Sequence, residues 1–424
     1  MNAPNSLKPT RPGLPEMTRV FAKIGLMSFG GPAAQIAVMH RELVDERPWM
    51  TEEQYLSALS FCTLLPGPEA MQLATYSGWR LHGVLGGLIG GILFVLPGAI
   101  VMACLALAYV WFGQVPLIEA IFLGIKAAVV IVVLQALQKV ATRALKSRDR
   151  WVIAGLSFMG IFVFDLPFPL IILGAALYGY LTSEANDQPP PSIEDAQPLR
   201  TALIWGAIWL APIAILALTG AELLTEIALF FAKLAVVTFG GAYAVLAYMT
   251  QQVVQDHGWI TTLQMMDGLG LAETTPGPLI LVTQFVGMLA GFGAGGAGLA
   301  LVAGVVTLWV TFVPSFLFIF VGAPFIEWIS SRPKLAGALS ATIAAVVGVI
   351  LNLTVWFALH VLFTQVETIE SPLLSMPWPS LPSFDPLAFA LSIVAALLLI
   401  WRSWPLLQVL GVMAALGAAT AILA

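Results

Sequence analysis

Residues 83 to 112 carry no charged side chain, and neither do residues 296 to 321. Each run exceeds the roughly 20 residues that a helix needs to cross a hydrocarbon core. In that environment every backbone polar group must be satisfied internally, which leaves helices or a closed barrel. Runs that are apolar throughout, without alternation, select helices. Comparable runs occupy residues 116 to 138, 200 to 219 and 335 to 361. Residues 151 to 182 break at Asp165-Leu166-Pro167-Phe168-Pro169, and residues 387 to 424 break at Arg402-Ser403-Trp404-Pro405. Both read as hairpins of two short helices. With 59% hydrophobic and 10% charged residues, the expected class is an all-α polytopic membrane protein.

The chain also repeats itself. Phe21-Ala22-Lys23 through Pro66-Gly67-Pro68 recurs as Phe231-Ala232-Lys233 through Pro276-Gly277-Pro278, an offset of 231 − 21 = 210. At that offset Phe29-Gly30-Gly31 falls on Phe239-Gly240-Gly241, Met39 on Met249, Trp49 on Trp259, Thr51 on Thr261 and Gln54 on Gln264. The match resumes seven residues later, with Pro97 on Pro314 and Ala127-Ala128-Val129-Val130 on Ala344-Ala345-Val346-Val347. The unit of duplication is half the protein. The expected division is a polar N-terminus (1–19), a first repeat (20–182), an acidic Pro-rich linker (183–199) and a second repeat (200–424).

Charge outside the apolar runs predicts how the repeats sit. Lys139, Arg143, Lys146, Arg148 and Arg150 form the densest basic cluster and mark a cytoplasmic face. Counting spans from there places Arg80, the linker, Arg332, Lys334 and Arg402 on the same side, with Glu222, Glu226 and the Lys/Arg-free loop 362–386 outside. The two repeats then enter the membrane from opposite sides, as in many secondary transporters. The N-terminus is expected in the cytoplasm without a cleaved signal, and the C-terminus on the opposite side of the membrane.

The duplicated segments 20–40 and 54–79 are apolar yet interrupted, at Gly30-Gly31-Pro32 and Pro66-Gly67-Pro68; so are 230–250 and 264–289, at Gly240-Gly241 and Pro276-Gly277-Pro278. Pro-Gly-Pro cannot continue a helix. Full crossings would place Arg41 and Arg47 outside, whereas re-entrant hairpins keep both in the cytoplasm, so charge favours hairpins while length permits either. Non-helical backbone at membrane depth belongs where it lines a cavity or is buried in protein. The interruptions therefore point to a binding site for an anion, since a half-helix starting after Gly31, Gly67, Gly241 or Gly277 presents free N–H groups and its positive end. The alternative is that the small residues only permit close helix crossing.

Few charges lie within apolar stretches. Lys126 sits midway along 116–138, with Ile343 at its counterpart, and is a candidate anion ligand. Lys23 and Lys233 stand near hairpin entrances, where snorkelling is the simpler reading. Arg41 and Arg47 read as loop residues in a solvated cluster with Glu42, Asp45 and Glu46, with anion collection as the sharper alternative. Glu69 and Glu273 flank the two Pro-Gly-Pro motifs and are candidates for proton coupling, or for capping a half-helix. Ser28, Thr63, Gln72, Thr238, Thr274, Thr275 and Gln284 offer neutral hydrogen bonds nearby. Cys62 and Cys104 read as buried small hydrophobes. No phosphate loop, His-Glu-x-x-His motif or metal-ligand spacing occurs, so neither a cofactor nor a metal is expected.

Phe29-Gly30-Gly31-Pro32, Met39-His40-x-Glu42-Leu43-Val44, Trp49, Leu65-Pro66-Gly67-Pro68 with Gln72, and Thr275-Pro276-Gly277-Pro278 resemble the chromate ion transporter family, of the two-domain type. The resemblance covers both halves. It implies an inner-membrane efflux protein that exports chromate, driven by membrane potential or a proton gradient. No enzyme activity and no nucleic-acid partner are expected, and a homodimer is a candidate assembly. Sulfate is the nearest alternative substrate, and a passive anion channel or an intramembrane enzyme acting on a phosphorylated lipid are more distant ones. The expected oxyanion site lies between the four interruptions, held by half-helix ends, hydroxyls and one or more of Lys126, Lys23 and Arg41. Ala242 replaces Pro32 and Gln251 replaces Arg41 in the second copy, so the first half is richer in anion-binding groups.

Overall fold

The computed structural model describes residues 11–183, 197–239, 242–326, 332–371 and 374–423. The linker expected at 183–199, most of the N-terminal tail, and Gly240 and Gly241 lie wholly or largely outside the described residues.

The described chain is almost entirely helical. Helix α1 (Leu14–Met27) starts after Gly13 with Pro15 in its first turn and buries Met17, Val20, Phe21 and Ile24, one stripe at helical spacing. It packs on α4, where a Cβ at Gly25 would stand 2.0 Å from the Leu93 carbonyl oxygen, so only glycine permits that approach. The chain then turns through Ser28 to Gly31 into α2 (Gly31–His40) and a π-helical turn (Arg41–Asp45). Helix α3 (Glu52–Leu64) is opened by a reciprocal capping box between Thr51 and Gln54. Helix α4 (Glu69–Phe112) follows the Pro-Gly-Pro break and bends at His82-Gly83, where Gly83 has φ +61°. Helices α5 (Pro116–Ala144), α6 (Arg148–Phe162) and α7 (Phe168–Thr182) complete the first half.

In the second half, α8 (Pro198–Leu218) precedes α9 (Glu222–Val237) and α10 (Ala242–Gln251), which also ends in a π-helical turn (Gln252–Asp256). Helix α11 (Thr262–Thr274) has the same capping box, between Thr261 and Gln264. Helix α12 (Val282–Gly322) bends at Gly295-Gly296, Gly296 having φ +73°, and carries Pro314 where α4 carries Pro97. Helix α13 (Pro333–Leu362) leads to a β-hairpin, β1 (Val366–Ser371) paired antiparallel with β2 (Leu374–Pro379), then to α14 (Pro386–Ala396) and α15 (Leu406–Leu423).

Five described segments are long and apolar enough to cross a membrane: Glu69–Phe112, Pro116–Ala144, Pro198–Leu218, Leu279–Phe325 and Pro333–Leu362. The fold is that of an all-α polytopic membrane protein. Its outer surface is apolar: α8 exposes Leu199, Leu203, Ile204, Leu210, Ile215 and Leu218, a face that suits lipid rather than water. That helix is tied to α12 by two indole bonds, Trp209 Nε1 to Val310 O (3.0 Å) and Trp309 Nε1 to Ile208 O (3.1 Å). Glycine sets the closest helix contacts. A Cβ at Gly124 of α5 would stand 1.9 Å from Met413 O of α15, and one at Gly417 2.1 Å from Ala120 O.

Two readings from the sequence need correction. Glu42 is not part of a solvated cluster: its side chain is 0% exposed, folded under α1 by two cations. Cys104 is exposed on the outer face of α4, while Cys62 is buried as expected. An apolar stretch does not reveal which of its faces looks inward.

Candidate functional site

The four interruptions are joined in pairs. The Gly67 amide donates to Thr238 O and the Gly277 amide donates to Ser28 O, both at 2.8 Å. Each bond links the second break of one half to the first break of the other. Gly67 and Gly277 have φ +118° and +87°, which glycine alone adopts without strain. Gln35 extends the junction by donating to Gly277 O at 2.7 Å. A Cβ at Gly98, next to Pro97, would stand 2.0 Å from Pro276 O, so α4 is pressed against the second Pro-Gly-Pro.

The neutral polar side chains named from the sequence largely serve this backbone. The hydroxyls of Ser28 and Thr238 donate to Ile24 O and Leu234 O, both at 2.6 Å, closing the ends of α1 and α9. Gln72 donates to Pro66 O (2.6 Å), Thr275 to Ala272 O (3.0 Å) and Gln284 to Ala99 O (3.0 Å). Helix ends buried in apolar surroundings require such partners.

A cavity of about 870 Å³ is lined by the first interruption, Gly30, Gly31 and Pro32, and by residues that flank the others. Gly30 and Gly31, at the start of α2, contribute from one side; Thr63 and Glu69 flank the first Pro-Gly-Pro; Ala242, Tyr243 and Glu273 come from the second half. Pro32 and Ala242, Ala33 and Tyr243, and Thr63 and Glu273 are counterparts at the 210-residue offset, and all six line the cavity. Glu273 is buried and accepts a 2.7 Å hydrogen bond from the Tyr243 hydroxyl. The other wall is basic: Lys139, Arg143, Lys146 and Arg150 all face the same space. The sequence marked these four only as a topological signal, because nothing in their spacing announces an internal cavity.

A second cavity of about 510 Å³ is lined by Asp165, Thr250, Gln251, Asn352, Trp356 and His360, among others. Along α13, Ala336, Leu339, Ser340 and Ile343 face the first cavity, and Asn352, Trp356 and His360 face the second. On α10, Tyr243 faces the first and Ala247 the second, one turn or about 6 Å apart. The two cavities thus share α10 and α13 as walls and are displaced along them, with Ile350 on the first and Asn352 on the second.

The three cations proposed from the sequence as ligands sit elsewhere. The Lys126 ammonium is 3.1 Å from Asp267 Oδ1, and Tyr109 donates to Asp267 Oδ2 at 2.7 Å, so a largely buried triad ties α5 to α11 and α4. Asp267 went unnoticed in the sequence because its counterpart, Ser57, is unremarkable and α5 and α11 are far apart in the chain. Lys23 lies 2.5 Å from Glu42, whose other oxygen accepts from Arg47 at 2.8 Å. Arg41 is 3.7 Å from Glu46. None of the three is among the residues lining the first cavity. Lys233, the counterpart of Lys23, lies over the Tyr248 ring at 5.7 Å. Beyond the membrane-spanning segments, at the end of α2, His40 contacts Glu52 at 2.6 Å and Asp45 at 3.2 Å. Partial burial pushes its pKa down, but the two carboxylates outweigh it and hold the imidazole above its ordinary value. No group of three or more potential metal ligands occurs among the described residues.

A helical bundle with long apolar spans, broken helices meeting at its centre and a basic cavity beside them defines a multi-pass membrane protein of the transporter class. The chromate transporter family profile matches residues 15–180 and 225–419, and the chain belongs to that family. It is 33% identical to the chromate transport protein of Pseudomonas aeruginosa over 343 residues, covering 79% of each chain. It is 31% identical to the probable chromate transport protein of Synechococcus elongatus, covering 80% of this chain and 82% of that one. With the chromate transport protein of Cupriavidus metallidurans it shares 27% identity over 80% of both chains. No solved structure matches the chain.

Proposed function

We propose that this protein exports chromate across a bacterial inner membrane as a secondary transporter, by alternating access between its two cavities. The observation that carries the reading is the first cavity itself: a basic wall that shares one space with the start of α2 and with Glu69 and Glu273, which flank the two Pro-Gly-Pro breaks, in a member of the chromate transporter family. The halves 20–182 and 200–424 act as oppositely oriented repeats around this point, with the basic cluster cytoplasmic, the N-terminus cytoplasmic and the C-terminus periplasmic.

In this scheme the dianion enters from the basic side and settles against Gly30 and Gly31, where the positive end of α2 faces the cavity. The junction of Pro66, Gly67 and Pro68 with Thr275, Pro276, Gly277 and Pro278 fixes the geometry of that site. Rocking of α10 and α13 then exchanges exposure between the first and second cavities. Glu69 and Glu273 face the same space as the anion, which makes them the candidates for carrying a proton through the cycle. Lys126 acts at one remove, through its bond to Asp267. The potential suffices to drive export, since each charge leaving a negative interior releases about 2.3 kcal/mol per 100 mV.

The direct test is chromate uptake into everted membrane vesicles under an imposed potential. Saturable, potential-dependent uptake that Glu273→Gln and Gly67→Ala reduce supports the reading. Vesicles carrying the protein that accumulate no more chromate than empty ones overturn it.

A further inference from the structure

We propose that Lys139, Arg143 and Arg150 form a separate capture site for tetrahedral dianions on the wall of the first cavity, engaged before the anion reaches the helix breaks. The inference rests on the transport reading above for its purpose, but not for its chemistry.

Lys139 and Arg143 stand four residues apart on α5, so they project from one face, together with Gln135 and Ala136 one turn earlier; all four line the cavity. Like charges at this spacing repel each other, so helix stability does not account for them. Arg150 joins from the start of α6, and its Nη1 is buried without a hydrogen-bond partner. The Asp149 carboxylate lies 3.6 Å from Nε and makes no bond to Nη1. A buried guanidinium nitrogen left unpaired is costly, and an anion in the cavity would satisfy it. The chemistry matches a tetrahedral dianion: a planar Arg fork grips two oxygens while a Lys ammonium acts as a point charge on a third.

The simpler account is that the cluster only fixes topology. Topology requires cations in the loop, with no demand that they line a cavity. Arg148 fits that account, being in the same cluster but absent from the cavity wall. Lys139, Arg143, Lys146 and Arg150 line the cavity instead, the first three at its solvent-exposed side, against two carboxylates, Glu69 and Glu273, among the described lining residues. An excess of cations at the open side of a cavity concentrates anions there and raises their rate of entry.

The test is equilibrium dialysis of chromate against the purified full-length protein, paired with uptake by everted vesicles. Lys139→Gln and Arg143→Gln are expected to raise the Kd for chromate by about tenfold or more, as loss of a charge-assisted contact does. Arg143→Lys should keep most of the affinity, and Arg148→Gln should keep all of it. Sulfate should compete with chromate for this site and nitrate should not. In vesicles the two Gln variants should raise KM and leave the maximal rate near wild type. Affinity unaltered by both Gln variants, or weakened as much by Arg148→Gln, overturns the capture site while leaving transport standing. Binding that behaves as expected in a protein whose vesicles take up no chromate keeps the site and removes the transport reading.

Discussion

The amide of Gly67 donates to the carbonyl oxygen of Thr238 at 2.8 Å, tying the Pro-Gly-Pro break of the first half to the end of α9 in the second. Gly277 and Ser28 repeat the bond with the halves exchanged. Both amides would otherwise be orphaned in an apolar interior, so the junction is self-satisfying only when the halves are assembled. That makes the two glycines the sharpest points at which to test the centre of the fold.

Gly67→Ala and Gly277→Ala force a Cβ into left-handed backbone, at a cost of about 1–2 kcal/mol each. At Gly67 the new Cβ also meets Gln72 Nε2 at 2.7 Å, whereas at Gly31, with φ +80°, it meets nothing within 4 Å. Thermal unfolding in detergent should rank Gly67→Ala as more damaging than Gly31→Ala. Equal losses would show that contact with Gln72 contributes nothing.

Lys126 and Asp267 form a partner test. Replacing either alone leaves a buried charge uncompensated and should cost about 3–5 kcal/mol, read as lost thermal stability and expression. The double replacement Lys126→Met with Asp267→Asn should recover most of it. Stability unchanged by Lys126→Met, together with abolished chromate uptake, would instead make Lys126 a ligand.

Helix spacing gives a third prediction. A leucine at Gly124 or Gly417 must displace the facing carbonyl between α5 and α15, so both variants should lose stability well beyond the ~0.5 kcal/mol typical of a surface change. Gly155→Leu, where an added Cβ meets nothing within 4 Å, is the control that should remain near wild type.

These contacts also show how far the sequence reaches. The helices, their breaks at Gly30-Gly31 and Pro66-Gly67-Pro68, and the hairpin at Asp165 follow from local chemistry and were legible as such. Asp267 was not, because its partner Lys126 is brought to it only by packing of α5 on α11. That Lys139 and Arg143 line a cavity was hidden for the same reason, since charge alone does not distinguish a loop facing the cytoplasm from the wall of a cavity. The β-hairpin at Val366–Ser371 and Leu374–Pro379 sits in a segment rich in proline, which disguised it as irregular loop.

The pH dependence of the α2 end follows from His40. Its folded pKa is raised, so the stability it contributes is fully present below the ordinary imidazole value of 6.5 and is lost as pH rises through the folded value above it. Unfolding followed from pH 6 upward should show a decline in wild type that His40→Gln and Glu52→Gln both flatten. A decline that persists in His40→Gln assigns it to another group.

The central claim is that chromate passes through the cavity lined by the basic cluster and by Gly30 and Gly31 at the start of α2. Ser340→Cys, made with Cys62→Ala and Cys104→Ala, places a single thiol on that wall. The rate at which an anionic thiosulfonate modifies it in everted vesicles, with and without chromate, is the most direct measurement. The account predicts rapid modification that blocks uptake and is slowed by chromate at concentrations near the KM. Modification that chromate leaves unchanged while uptake remains saturable would place the anion's path elsewhere.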